Sequence, residues 1–417
     1  MSNGTQPRHK PLICRFSAAT IGFFLINALV IAVVLMAGSN LPGASVAQDV
    51  QINNLGQTPM YGCWSWWSAH AFFEEERVPD VVLLGSSLVN SAAWAADALT
   101  LYRPIDCAVH HRVVTLERAL TRFTGLTGVD RPHAINCAIG GAVASDYYFM
   151  SRALFNGDRK PKLIVLGVAP RDFIDNKVET PCETEPFLLF SRYVDFDSKV
   201  SRAFSSPLER FMSELDWRFD KLPLRRLHPM VTQFFTEEGA FTQRTMPANQ
   251  LLAALSNGAL TVRPGQVIVP FTVSDTWHDN TEEYARRYKN PWPRIYRDEM
   301  YFFEQTLKYL KSRDIKVLVV EMPTLPCNRS LLPQSFWSKY ATELRTACLR
   351  QQIDFVDLSA MANFPKSDYV DTVHVNWYGG IKALNLIAKT IASRPHLASS
   401  LQPIDLADKR QNHAGQL

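Results

Sequence analysis

The stretch VVLLGSSLVNS, residues 81–91, runs four large apolar residues into a glycine and two serines. A strand that stops in this way can hold a hydroxyl on a rigid edge, and a hydroxyl held beside a base is a nucleophile. The base has to come from ten histidines, three of which stand in D-x-x-H spacing as Asp130/His133, Asp275/His278 and Asp371/His374. That spacing lets the carboxylate reach Nδ1–H of the same imidazole and fix its tautomer, leaving Nε2 to take a serine proton. Gly140 and Gly141 in INCAIGGAVASD add a third ingredient, because a glycine lets a backbone N–H approach a developing oxyanion with no side chain in the way. Each piece alone has a plainer reading: a strand-ending turn, a loop histidine bonded to its neighbour, a tight glycine turn.

What must position them is a sheet. Five continuous apolar runs, VVLLG (81–85), AINCAIG (134–140), KLIVLGV (162–168), KVLVVEM (316–322) and IDFVDL (353–358), have the composition of strands buried on both faces. Segments with helical periodicity separate them, RDEMYFFEQTLKYLKSRD (297–314) and GGIKALNLIAKTIAS (379–393) among them. Strands alternating with helices predict a three-layer, doubly wound α/β sandwich with a parallel, flavodoxin-like sheet. Ligands of such sheets sit outside the carboxyl ends of the strands. Ser86 and Ser87 follow the first run and Gly140–Gly141 the second. His374 follows the last, whereas His133 precedes a strand and His278 lies in an insertion. Position therefore selects His374 as base and Asp371 as its orienter, and leaves Ser86 and Ser87 as candidate nucleophiles and Gly140 and Gly141 as candidate oxyanion glycines.

Residues 177–297 break the strand–helix rhythm and read as an insertion, a lid or a partner-binding subdomain. It holds an expected helix near SSPLERFMSELDWRF, a β-rich QVIVPFTV and a second helix start at NTEEYARRY, where Asn280 and Glu283 have capping-box spacing. Phe16 to Ala37 carries no charged residue, with Arg8, Lys10 and Arg15 before it and the first acid at Asp49. A spanning helix needs about 20 apolar residues, and the basic flank keeps residues 1–15 cytoplasmic and sends the main domain across the membrane. The rival is a cleaved signal peptide ending near SVA at 45–47. An apolar run this long favours an uncleaved anchor over 16–37. Residues 38–79 then read as a membrane-proximal stalk, with the aromatic CWSWWSAHAFFEEE packing on the domain or touching headgroups. Residues 80–398 read as the catalytic-type domain and 399–417 as a flexible tail.

The 417-residue chain, 47% hydrophobic and 20% charged, carries a net charge of +4 with no basic block, which excludes a nucleic-acid track. Beyond Cys14, the cysteines at 63, 107, 137, 182, 327 and 348 permit disulfides in an oxidising compartment. No CxxC spacing points to a metal and no phosphate loop to a nucleotide, so no cofactor is expected.

In order and spacing, VVLLGSSLV, NCAIGG and DTVHVN resemble the first, second and last blocks of the SGNH, or GDSL-type, hydrolase and acyltransferase superfamily, over 80–176 and 315–395. The resemblance implies Ser87, His374 and Asp371 as a triad and Gly141 as the oxyanion glycine, with Ser86 in place of the usual aspartate. The third block departs: the family offers G-x-N-D, and this chain has GVAPRDFIDN. Arg171 can substitute for the missing asparagine or Asn176 can fold back, or else Arg171 and Asp172 only cap a helix. Its architecture is similar to the membrane-anchored DltD-like and alginate-acetylation-like branch. That likeness implies acyl transfer to, or removal from, an envelope polysaccharide in the periplasm, beside a membrane-bound O-acyltransferase. The alternative is an anchored binding or assembly protein with a decayed site.

Overall fold

The computed structural model describes residues 62–177, 184–190, 193–194, 268–269, 277–289 and 293–402. The expected anchor at 16–37, most of the 177–297 insertion with its SSPLERFMSELDWRF helix, and the chain beyond 402 lie outside these residues. No helix among the described residues is long and apolar enough to cross a membrane.

The strands in chain order are β1 (Val81–Leu84), β2 (Ile105–Asp106), β3 (Ala134–Asn136), β4 (Leu163–Val168), β5 (Ile268–Val269), β6 (Lys316–Glu321) and β7 (Asp354–Asp357). Each of the five apolar runs contributes one strand of a single parallel sheet, ordered β3-β1-β4-β6-β7. Taken by position along the chain this is a 2-1-3-4-5 order, whose switch point falls between β1 and β4. Val82 pairs with Ile135 on one side and Ile164 on the other. All four residues of β1 are buried, and removing each such side chain from water contributes about 1.5–3 kcal/mol. The uninterrupted apolar run follows from this: a strand covered on both faces has no position left for a polar residue. β5, from the QVIVPFTV stretch, stays outside this sheet and pairs antiparallel with β2.

The helices are α1 (Trp64–Glu74), α2 (Ser87–Leu101), α3 (Val114–Thr124), α4 (Ala144–Leu154), α5 (Arg171–Ile174), α6 (Glu185–Phe190), α7 (Thr281–Arg287), α8 (Pro293–Ser312), α9 (Pro326–Arg329), α10 (Gln334–Gln351), α11 (Leu358–Met361), α12 (Trp377–Ser393) and α13 (Pro395–Ala398). They fall into two layers: α12 packs on α2 and α3, and α8 packs on α4, α5 and α10.

Two boundaries differ from expectation. The folded body includes α1, ahead of the expected start at residue 80. Trp66, Ala69 and Phe72 are buried in the main core, Phe72 meets Phe155 edge-on, and Ser68 Oγ donates to the Cys137 carbonyl at 2.9 Å. The aromatic segment thus closes the domain, and the final third of the expected 38–79 stalk belongs to it. At the other end Leu401, inside the expected 399–417 tail, packs into the core. Among the described cysteines, Cys63, Cys137, Cys327 and Cys348 are free thiols. Burial pushes the Cys137 thiol up to about 12.

Candidate active site

β1 ends at Gly85, whose φ of +152° turns the chain sharply into α2. This glycine is required: a Cβ there would collide with Val89 and lie 2.7 Å from the Gly167 carbonyl oxygen at the end of β4. The turn places Ser86 at the N-cap of α2 and Ser87 in its first turn. Ser86 is buried, and its hydroxyl bonds the Asp172 carboxylate, not an imidazole. Ser87 points the other way, toward the loop before α12.

That loop holds Asp371 and His374. Asp371 Oδ1 accepts the N–H groups of Val373 (2.8 Å) and His374 (2.7 Å), which wraps the D-x-x-H segment around its own carboxylate. Asp371 Oδ2 lies 2.6 Å from His374 Nδ1, and His374 Nε2 lies 2.8 Å from Ser87 Oγ. Burial pushes the Asp371 carboxyl up, but the His374 side chain and the two backbone donors outweigh it and hold the pKa below the ordinary carboxylate value. An ionised carboxylate only accepts, so Nδ1 carries the proton and donates it to Asp371. Nε2 is left to accept the Ser87 hydroxyl. Asp371 side-chain exposure is 13% and that of His374 23%, so the imidazole remains reachable from solvent.

Two devices hold the loop on the sheet edge. Asn376 caps α12 by accepting the N–H groups of Tyr378 and Gly379. Gly380 then seats α12 against α2, since a Cβ on it would stand 2.5 Å from the Ala92 carbonyl oxygen. From the other side, Asn280 Oδ1 accepts both the N–H of Thr372 (3.1 Å) and its hydroxyl. The expected capping box at α7 is therefore not made. Asn280 is the N-cap by position, but its side chain makes no cap bond, and Glu283 pairs with Lys177 and Arg287. Thr372 is buried, and satisfying its two donors outweighs one more helix cap.

The glycine pair lies next to the serines because pairing of β1 with β3 runs on past the strands: Cys137 N–H donates to Leu83, and Ile139 N–H to the Gly85 carbonyl at 3.0 Å. Ala142 N–H donates back to the Ile139 carbonyl, closing a turn with Gly140 and Gly141 at its centre. Gly141 has φ +88°, the value a type II turn demands at its third residue. The peptide N–H groups of Ser87 and Gly141 have no acceptor among the described residues. Both are available to an oxyanion.

The third block holds no asparagine; Ala169 stands two residues beyond Gly167. Arg171 is buried and forks beneath the glycine turn: Nη2 donates to Gly141 O (2.8 Å), Nη1 to Ala142 O (3.0 Å) and Asp172 (3.4 Å), and Nε to Asp175 (3.1 Å). Burial alone would lower its pKa, and Asp172 and Asp175 reverse that and keep it charged. Burial raises Asp172 to about 6 against the pull of Arg171. Asn176 does not fold back toward the site; its amide donates to the Lys289 carbonyl.

Neither of the other two D-x-x-H histidines joins the relay. His133 sits at the opposite end of the sheet, bonding Glu117 (2.9 Å) and Glu75 (2.7 Å), not Asp130. His278 donates its backbone N–H to Val370, and Asp275 lies outside the described residues. Sequence reasoning missed Asn280, Thr372, Asp175, Arg287 and the seating role of Gly380. The glycine pair at the start of a helix was the one visible signal among them. Among the described residues no cluster of three or more His, Cys, Asp or Glu is placed to hold a metal.

A protein-family model matches residues 294–395, from α8 through the D-x-x-H loop to α12. No curated protein matches the chain. A crystal structure of a candidate acylhydrolase from Bacteroides fragilis NCTC 9343 is similar at 14% sequence identity and a TM-score of 0.33, covering 80% of this chain and 99% of that one. A likeness that distant says nothing of the chemistry, which has to be argued from the residues themselves.

Proposed function

We propose that this chain is an SGNH-type serine esterase or O-acyltransferase acting on acyl esters. The observation that carries the reading is the unbroken relay from Ser87 Oγ to His374 Nε2 (2.8 Å) and from His374 Nδ1 to Asp371 (2.6 Å). Ser87 attacks the ester carbonyl as His374 takes its proton. The oxyanion lies against the N–H groups of Ser87 and Gly141, and collapse expels the alcohol, which leaves with the proton from His374. The acyl-serine then passes to water or, with a sugar hydroxyl in its place, to an acceptor by the same steps. No metal or cofactor enters these steps.

The uncharged run at 16–37 and its basic flank support a single-pass anchor with a cytoplasmic N-terminus and a periplasmic domain. Such a placement supports an envelope polysaccharide as substrate or acceptor and a membrane-bound O-acyltransferase as neighbour. A fluorophosphonate probe tests the chemistry: labelling of the wild type, retained in Ser86→Ala and lost in Ser87→Ala, supports the enzyme. An unlabelled wild type removes it and leaves the second reading, a decayed SGNH-like binding or assembly protein, which the donor-less Ala169 favours.

A further inference from the structure

We infer that Arg171 is the positioning residue of the oxyanion turn, holding from beneath the glycine pair whose N–H faces the oxyanion. The inference rests on the acyl-transfer reading of Ser87 and concerns how that site manages without an asparagine at Ala169. A glycine pair is the least restrained sequence for a turn that must aim one N–H. In this turn the peptide joining Gly141 to Ala142 is clamped at both ends, its carbonyl by Arg171 and its N–H by the Ile139 carbonyl. The Ala142 carbonyl is held by the same guanidinium. With these groups drawn down into the protein, the Gly141 N–H stays on the open side, where a Cβ on Gly140 or Gly141 would meet nothing within 4 Å.

The guanidinium is itself fixed from the insertion. Asp175 Oδ2 accepts Arg171 Nε at 3.1 Å and Arg287 Nη1 at 2.7 Å. Arg287 belongs to α7, whose first flanking residue, Asn280, grips Thr372 in the D-x-x-H loop. One short helix of the insertion thus braces the oxyanion turn at its end and the acid–base loop at its start. Lysine cannot do the work of Arg171, because a single ammonium lacks the planar fork that reaches two carbonyls and two carboxylates.

The test uses the full-length chain in detergent, with p-nitrophenyl acetate turnover and fluorophosphonate labelling as readouts and Ser87→Ala as background. Arg171→Lys and Arg171→Ala are expected to lower kcat by about 10–100-fold, by analogy with the loss of a partner that orients a metal-ligating side chain. KM and the acidic limb of the pH–rate profile should stay in place, since His374 and Asp371 are untouched. Added guanidinium should restore part of kcat in Arg171→Ala and none in Arg171→Lys, where the ammonium fills the space. If either variant fails to fold, Arg287→Gln decides, with a smaller loss of kcat in the same direction. A folded Arg171→Lys with wild-type kcat, a loss of activity matching only the loss of folded protein, or an Arg287→Gln indistinguishable from wild type overturns the inference. An unlabelled wild type defeats instead the reading on which it stands.

Discussion

Gly380 offers the sharpest test of how the site is spaced. α12 touches α2 through this residue, and α12 follows the loop that carries His374 while α2 begins with Ser87. A methyl group at 380 would stand 2.5 Å from the Ala92 carbonyl oxygen and 3.2 Å from its carbonyl carbon and Cα. Comfortable contact needs about 3.5 Å, so in Gly380→Ala the helices must part by about 1 Å. Overpacking of this kind costs about 1–3 kcal/mol, and the better helix propensity of alanine offsets about 1 kcal/mol of that. The net loss of stability is then roughly 0–2 kcal/mol, a small change in melting temperature. A displacement of about 1 Å between nucleophile and base, by contrast, costs about 10²-fold in rate. The expected result is a folded protein with kcat for p-nitrophenyl acetate down about a hundredfold and fluorophosphonate labelling slowed in parallel. Lys389→Ala, on the exposed side of the same helix, should change neither. If Gly380→Ala loses stability yet keeps wild-type kcat, the seam between the helices does not set the distance from Ser87 to His374, and the argument fails.

Asp371→Asn keeps the shape of the loop but offers Nδ1 a donor as readily as an acceptor, freeing the imidazole to take the wrong tautomer. Its kcat should fall by about 10⁴, with Ser87 still present and the fold intact by circular dichroism. Glu321 tests the buried charge at the end of β6. Burial, helped by Asp357, raises its carboxyl to about 7 against the pull of Arg329 and Arg345. A carboxyl whose folded pKa is raised adds to stability at low pH and gives this up as pH climbs from its ordinary value near 4.5 to about 7. Glu321→Gln should match the wild type in thermal melts near pH 4 and exceed it above pH 7 by an amount on the order of a few kcal/mol. An advantage that does not grow across that window refutes the assignment.

The sheet was legible because its information is local. A strand covered on both faces must be written as a run of apolar residues, and VVLLG, KLIVLGV and KVLVVE could hardly be anything else. The meeting of Ser87 with Asp371 and His374 was legible one step further, from the rule that chemistry collects beyond the carboxyl ends of parallel strands. Asn280 shows where such reading stops. Its spacing from Glu283 is that of a helix cap, and nothing nearby in the chain reveals that Thr372, buried and holding two donors, outbids the helix for its oxygen. The partners of Arg171 and the role of Asp175 were hidden for the same reason: a helix-capping residue and a buried clamp have the same local sequence, and Gly141 and Arg287 lie far along the chain. Leu401 and Trp66 moved the domain boundaries because burial against distant elements leaves no local mark.

The serine and the histidine that face each other are 287 positions apart, one at the first strand of the sheet and the other just ahead of its last long helix. Bringing two such points together in an unfolded chain costs on the order of 5 kcal/mol of entropy, which only the finished sheet can offset. During synthesis the hydroxyl therefore emerges long before any base exists to activate it. On the proposed triad, a chain that stops short of the D-x-x-H loop should be chemically silent, and turnover would report that this loop has docked.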